Sequence, residues 1–255
     1  MLRFASLAFA LAVSFATSAA GADIRYRTDY SVSLGALPIA KASFLTEVND
    51  QNYRISANFR SYGLVDIISR ISGESTVSGQ LSGQSMRAQH YRLVYQAGKK
   101  TSIYDVSYDN GNVTKTTVDP PPKPRSASWI PVTDADLKSV FDPISGLIVP
   151  DGEAVCPRTL PIYDGESRMD IVMTPKGTRS FTAGDVEGEA VVCSVRYIPK
   201  SGFRKGRKDI EYMRSATGME IWFAKTAQLK VYAPVYARVP TRMGTLYVTA
   251  VKFDG

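Results

Sequence analysis

One histidine, His90, and two cysteines, Cys156 and Cys193, stand in a chain of 255 residues. That scarcity excludes a site needing two imidazoles, and it excludes zinc ribbons and cysteine-ligated iron–sulfur clusters. Cys-x-x-Cys and Gly-x-Ser-x-Gly are both missing, so neither dithiol redox chemistry nor a nucleophile elbow is signalled. After the first residues no apolar run approaches the roughly 20 residues of a spanning helix. The 44% hydrophobic content and 22% charged content are those of a folded globular chain.

What is there begins with an export pattern. Arg3 precedes an apolar run over 4–16, and small residues at Ala20 and Ala22 fit cleavage before Asp23. Residues 1–22 therefore read as a cleaved signal peptide and 23–255 as one mature domain, exported to the periplasm. An uncleaved N-terminal anchor is the competing reading. The signal removes only one charge, leaving 30 basic against 24 acidic residues, or +6 over 233 residues. In that compartment the matching anionic partners are lipid headgroups or lipopolysaccharide phosphates, not nucleic acid, although moderate basicity also serves solubility alone.

Both cysteines survive processing and lie 37 positions apart in an oxidising compartment, where one internal pairing is possible. Alternation through Val191, Cys193, Val195 and Tyr197 puts Cys193 on a core-directed face, and a structural Cys156–Cys193 disulfide is the expectation.

Period-two alternation dominates the rest. Tyr53, Ile55, Ala57 and Phe59 alternate with polar residues, as do Tyr91, Leu93 and Tyr95, and then Tyr104, Val106 and Tyr108. Turn signals punctuate the runs at 49–52, 79–83, 97–98 and Asp109-Asn110-Gly111. Prolines at 120, 121, 122 and 124 make 119–125 a surface connection. Thr133 with Asp136, and Asp142-Pro143, predict two short helices within 134–149. Strand patterns resume over 159–163, 168–174, 178–183, 190–198, 209–214, 220–224, 229–239 and 245–253. The expected fold is mainly β: a single antiparallel curled sheet or incomplete β-barrel of about a dozen strands, with a few short helices.

Candidate sites follow. Leu64, Ile67 and Ile68 fall at helical spacing within 64–70, as a plug or lid over an apolar interior or as a simple core cap. Lys200, Arg204, Lys205, Arg207 and Lys208 form a glycine-loosened basic loop that suits an anionic surface, or a solvated hairpin tip. Trp222 is either a cavity-lining aromatic or core. Asp164, Glu166 and Asp170 lack the calcium-loop ladder and read as a turn, and His90 reads as a half-exposed strand residue. No catalytic residue, metal or cofactor is expected.

Several segments together resemble a family. They are Gly35-Ala36-Leu37-Pro38-Ile39-Ala40, Gly63-Leu64-Val65, Phe141-Asp142-Pro143-Ile144-Ser145, Tyr163-Asp164-Gly165 with Arg168, Glu220-Ile221-Trp222-Phe223 and Ala233-Pro234-Val235. In this order they resemble the exported domain-of-unknown-function 3108 proteins of Gram-negative bacteria, over nearly the whole mature chain. Ile39 replaces the small residue usual there. The resemblance implies an envelope location and a β-rich fold, and it transfers no catalytic residue. The functional expectation is a non-enzymatic periplasmic protein that binds or contacts an amphiphilic envelope component, supporting envelope integrity or transport. The alternatives are a scaffold binding another envelope protein through a sheet edge or the proline-rich loop, and a carboxylate-dependent envelope hydrolase.

Overall fold

The computed structural model describes residues 24–253 apart from 50, 69 and 84, so the signal-peptide reading of 1–22 lies outside the described residues. The chain forms β1 (Ile24–Leu34), β2 (Leu37–Val48), β3 (Asn52–Ser61), α1 (Leu64–Ile68), β4 (Ile71–Ser82), β5 (Ser85–Ala97), β6 (Lys100–Asp109) and β7 (Asn112–Asp119). Then come β8 (Trp129–Ile130), 3-10 turns at Asp134–Leu137 and Ser145–Leu147, β9 (Val149–Pro150), β10 (Arg158–Tyr163), β11 (Arg168–Ala183) and β12 (Val186–Ser201). The remainder is β13 (Phe203–Arg204), α2 (Lys208–Ser215), β14 (Met219–Lys225), β15 (Val231–Thr241) and β16 (Gly244–Phe253).

One antiparallel sheet runs β10-β11-β12-β14-β15-β16-β1-β2-β3-β4-β5-β6-β7, with β9 on β15, and the pair β8–β13 stands apart. It is curled but not closed, because among the described residues no ladder joins the edge strands β7 and β10. The alternation predicted from the sequence sets its inner face. Ile55 and Val77 are partners across one strand pair and Val77 and Tyr91 across the next, and all three are buried.

Four expectations about local structure are corrected. The stretch 79–83 is not all turn: Gly79 sits in a β-bulge of β4, where a Cβ would lie 2.0 Å from the Arg87 carbonyl oxygen, so only glycine fits. Residues 168–174 and 178–183 are one strand, β11, with a register shift at Pro175/Gly177 in place of a turn. Residues 209–214 are helical: α2 begins after Gly206 (φ 77°), carries Asp209 and Glu211 in its first turn and Arg214 in its last, and ends before Gly218 (φ 76°). Its Ile210/Tyr212 alternation fits a strand equally well, but α2 lies beside β12 and β15, at the end where β14 is too short to fill the space between them. Finally, Asp142-Pro143 does not start a helix directly. The 3-10 turn begins at Ser145, although the Asp142 side chain still caps it. The Thr133–Asp136 capping box forms as its spacing predicts, and Asn110 and Gly111 take positive φ (49° and 77°) in the β6–β7 hairpin.

The free edges are stitched by Ser139–Phe141. The Ser139 amide donates to Asn112 Oδ1 (3.3 Å) and the Val140 amide to the Gly111 carbonyl (2.8 Å), on the β6–β7 side. The Phe141 amide donates to the Pro161 carbonyl (2.8 Å) and the Phe141 carbonyl accepts from the Tyr163 amide (3.0 Å), on β10. The Tyr163 hydroxyl donates to Thr116 Oγ1 (3.3 Å), and Arg125 pairs with Glu166 (2.6 Å) across the same seam.

Cys156 and Cys193 are disulfide-bonded across their 37-residue separation, which ties the 151–157 connection to the buried middle of β12. Closing a loop of that size is worth about 4 kcal/mol in the chain-entropy model. Cys193→Ser should therefore lower the melting temperature in oxidising buffer by roughly 10 °C. Dithiothreitol should lower the wild type similarly and add little to the variant.

Candidate functional site

Beyond the stitch the chain turns inward, and Asp142–Ile148 occupies the interior of the curled sheet. Asp142 is fully buried. Its carboxylate accepts from the Ile144 amide (2.8 Å), the Ser145 amide (2.9 Å) and the Ser145 hydroxyl. Burial pushes its pKa up, and these hydrogen bonds oppose the shift. Tyr53, Tyr91 and Tyr108 pack around it in one core cluster, and burial raises each phenol's pKa, with the Asp142 charge adding to the effect. The Tyr108 hydroxyl donates to the Tyr163 carbonyl at 3.1 Å, so this aromatic group also supports the seam.

Two hollows flank the plug. One of about 420 Å³ lies against β1, β2 and β3 and is lined by Tyr26, Tyr30, Phe44, Ile55, Phe59 and Val248 among others. A second of about 440 Å³ lies against β5, β10 to β12, β14 and β15. Pro143, Leu147, Ile221 and Ala237 line both. The two tyrosine hydroxyls of the first hollow are partnered within the wall. The Tyr30 hydroxyl donates to the Pro234 carbonyl (2.6 Å), and the buried Tyr26 hydroxyl bonds Thr46. Apart from Asn58 and Thr28, what the lining presents is mainly methyl and ring surface, which takes up apolar groups, and among the described residues it holds no nucleophile paired with a base.

The acids that invited a calcium reading are each engaged. Asp164 accepts from the Glu166 and Ser167 amides (2.9 and 2.6 Å) in a tight turn, and its partial burial raises its pKa. Glu166 pairs with Arg125, and Asp170 pairs with Arg168 (2.6 Å) and Lys200 (3.3 Å). Among the described residues no cluster of three or more His, Cys, Asp or Glu side chains is arranged to hold a metal ion. His90 contacts Asp105 (2.9 Å), which also accepts from Arg92 (2.9 Å), on the outer face opposite Tyr91.

The chain matches the family model described as "Protein of unknown function (DUF3108)" over residues 29–251. It belongs to that family. No curated protein matches it. Among solved structures it is similar to a beta-barrel-like protein of domain of unknown function DUF1849 from Brucella abortus, at 9% identity and a TM-score of 0.46, over 91% of this chain and 97% of that one. In this DUF3108 chain three of the segments that carried the resemblance fall at structural joints, while Glu220–Phe223 and Ala233–Val235 lie within β14 and β15. Gly35–Ala36 turns β1 into β2, Phe141–Ser145 is stitch and plug, and Tyr163–Gly165 faces the stitch from β10.

Of the candidate residues whose side chains are described, Asp164 lines the second hollow, while Ile67, Trp222 and the basic residues over 200–208 line neither. Ile67 is 82% exposed on α1 beside β2, so it points to solvent and does not plug the interior; the side chains of Leu64 and Ile68 lie outside the described part. Trp222 projects opposite Ile221, stacks on Tyr236 at 4.4 Å between ring centroids, and has its indole N–H buried without a partner among the described residues. Lys200, Arg204, Lys205, Arg207 and Lys208 are not one hairpin tip: they run from the end of β12 through β13 into α2. The plug that sequence reasoning missed had a signal, since Phe141, Ile144, Leu147 and Ile148 recur at helical spacing with polar Asp142 and Ser145 between them.

Asp142→Ala leaves two buried amides unpartnered and should cost about 3 kcal/mol in urea unfolding. Asp142→Asn keeps their acceptor and should stay within about 1 kcal/mol of wild type. Because folding raises this carboxyl's pKa above its ordinary 3.8, the contribution of Asp142 to stability falls as pH rises from that value through the raised one. The Asn variant should therefore gain relative to wild type between acid and neutral pH, and a pH-independent difference would show that Asp142 does not titrate upward on folding.

Proposed function

We propose that this protein is a non-enzymatic periplasmic binder that holds the apolar part of an amphiphilic envelope component between the plug and the inner face of the sheet. The observation that carries the reading is the hollow of about 420 Å³, walled mainly by apolar and aromatic side chains including Tyr26, Phe44, Ile55 and Phe59, with the Tyr26 and Tyr30 hydroxyls bonded within the wall. That volume is in the range of small-ligand pockets, and an apolar chain entering it gains about 0.8 kcal/mol per buried methylene. A charged headgroup remains outside, because no charged side chain is among the described residues that line this hollow. The export pattern of residues 1–22 and the disulfide suit a periplasmic protein. The separate engagement of each acid at 164–170 in a turn or ion pair gives the hydrolase alternative no marked carboxylate pair.

Native mass spectrometry with organic extraction of protein purified from periplasm should find an amphiphile, and a fluorescent fatty acid should bind the delipidated protein and compete with it. Ala237→Phe puts a ring into both hollows and should weaken that binding at least tenfold without lowering the melting temperature. Neither co-purified amphiphile nor fatty-acid binding would sink the proposal.

A further inference from the structure

Antiparallel pairing brings the ends of β1, β3, β5, β7, β10, β12 and β15 to one rim of the curled sheet, together with the starts of the strands that follow them. Charge is not shared evenly between the rims. On this one the stretches 62–68, 98–99, 120–128, 164–167, 202–218 and 242–243 hold nine lysines and arginines and five aspartates and glutamates. On the opposite rim the connections 110–111, 151–157, 184–185 and 226–230 hold three acidic residues and one lysine. Several of the first rim's acids are already used: Asp164 accepts from two backbone amides, Glu166 pairs with Arg125, and Asp209 pairs with Arg207. Among the described residues Arg204, Lys205 and Lys208 have no carboxylate at ion-pair distance.

The exposed apolar side chains follow the same partition. Of the large hydrophobic residues that stand exposed among the described ones, Leu37, Tyr62, Ile67, Tyr212 and Met243 all lie on the basic rim, and only Val251 lies away from it. Ile67 and Met243 are the most exposed, at 82% and 83%. They stand on separate tips, the α1 segment and the β15–β16 hairpin, with Leu37 on the β1–β2 hairpin.

We propose that this rim docks on an anionic phospholipid bilayer, with Leu37, Ile67 and Met243 entering the interface and Arg204, Lys205 and Lys208 facing the headgroups. Separated apolar tips around a rim fit a broad, deformable interface better than one compact protein epitope, which needs a contiguous buried centre. Cations on several connections match a surface potential rather than one bound phosphate, which requires converging donors. The second hollow reaches the same rim, since its lining includes Met219, Arg238 and Val239 near the strand ends. That alignment rests on the interior-binding reading; the docking does not.

Sedimentation of the purified protein with vesicles tests it. Phosphatidylglycerol–phosphatidylethanolamine vesicles should retain the protein, pure phosphatidylcholine vesicles should not, and 1 M salt, with a Debye length of about 3 Å, should release it. Arg204→Glu/Lys205→Glu/Lys208→Glu should weaken binding at least tenfold. Ile67→Asp/Met243→Asp, exposed positions that the fold does not need, should do the same. Ala237→Phe should still bind vesicles, which separates failure of docking from failure of the interior site. No binding to anionic vesicles at low salt, or binding that both rim variants retain, would overturn the proposal.

Discussion

A sheet of this size that stops short of closing leaves two open edges, and the rest of this structure depends on how Ser139–Phe141 bridges them. The segment bonds to the β6–β7 hairpin with Ser139 and Val140 and to β10 with Phe141. Each such bond is worth about 1 kcal/mol net, but an edge left open is also a template for association with another chain. Pro161 within β10 is tolerable there because an edge strand need not donate on both sides.

The stitch also sets what lies inside. The chain leaves it at Asp142, whose buried carboxylate folds the next three residues back on themselves, and this directs Pro143, Ile144 and Leu147 into the interior. The plug then leaves through Val149 and Pro150, which pair with β15, and the disulfide holds the connection beyond them against β12. A core filled by one loop rather than by side chains alone is divided, which is why separate hollows border it in place of one cavity. Seam, plug and hollows are thus consequences of one crossing.

Much of this was legible in advance at the level of strands and turns. Asn110-Gly111 states its hairpin locally, because few residues adopt positive φ without cost. The capping box at Thr133 is equally local. The errors came where local patterns are ambiguous. Ile210 and Tyr212 alternate as a strand would, yet the segment is helical and packs beside β12 and β15 where β14 is too short to reach. Leu64, Ile67 and Ile68 suggested a plug because helical spacing marks a face without saying what it meets.

The amino-acid sequence by itself determined the β-rich class, most strand positions and the cysteine pair, since alternation, turn residues and two thiols act over short or unambiguous ranges. Only the tertiary structure decided that the sheet stays open, that 141–148 is its plug, and that cations and exposed apolar residues from distant segments share one rim. The reason is that register and strand order set which loops become neighbours, and no single stretch of chain encodes the partner it will face.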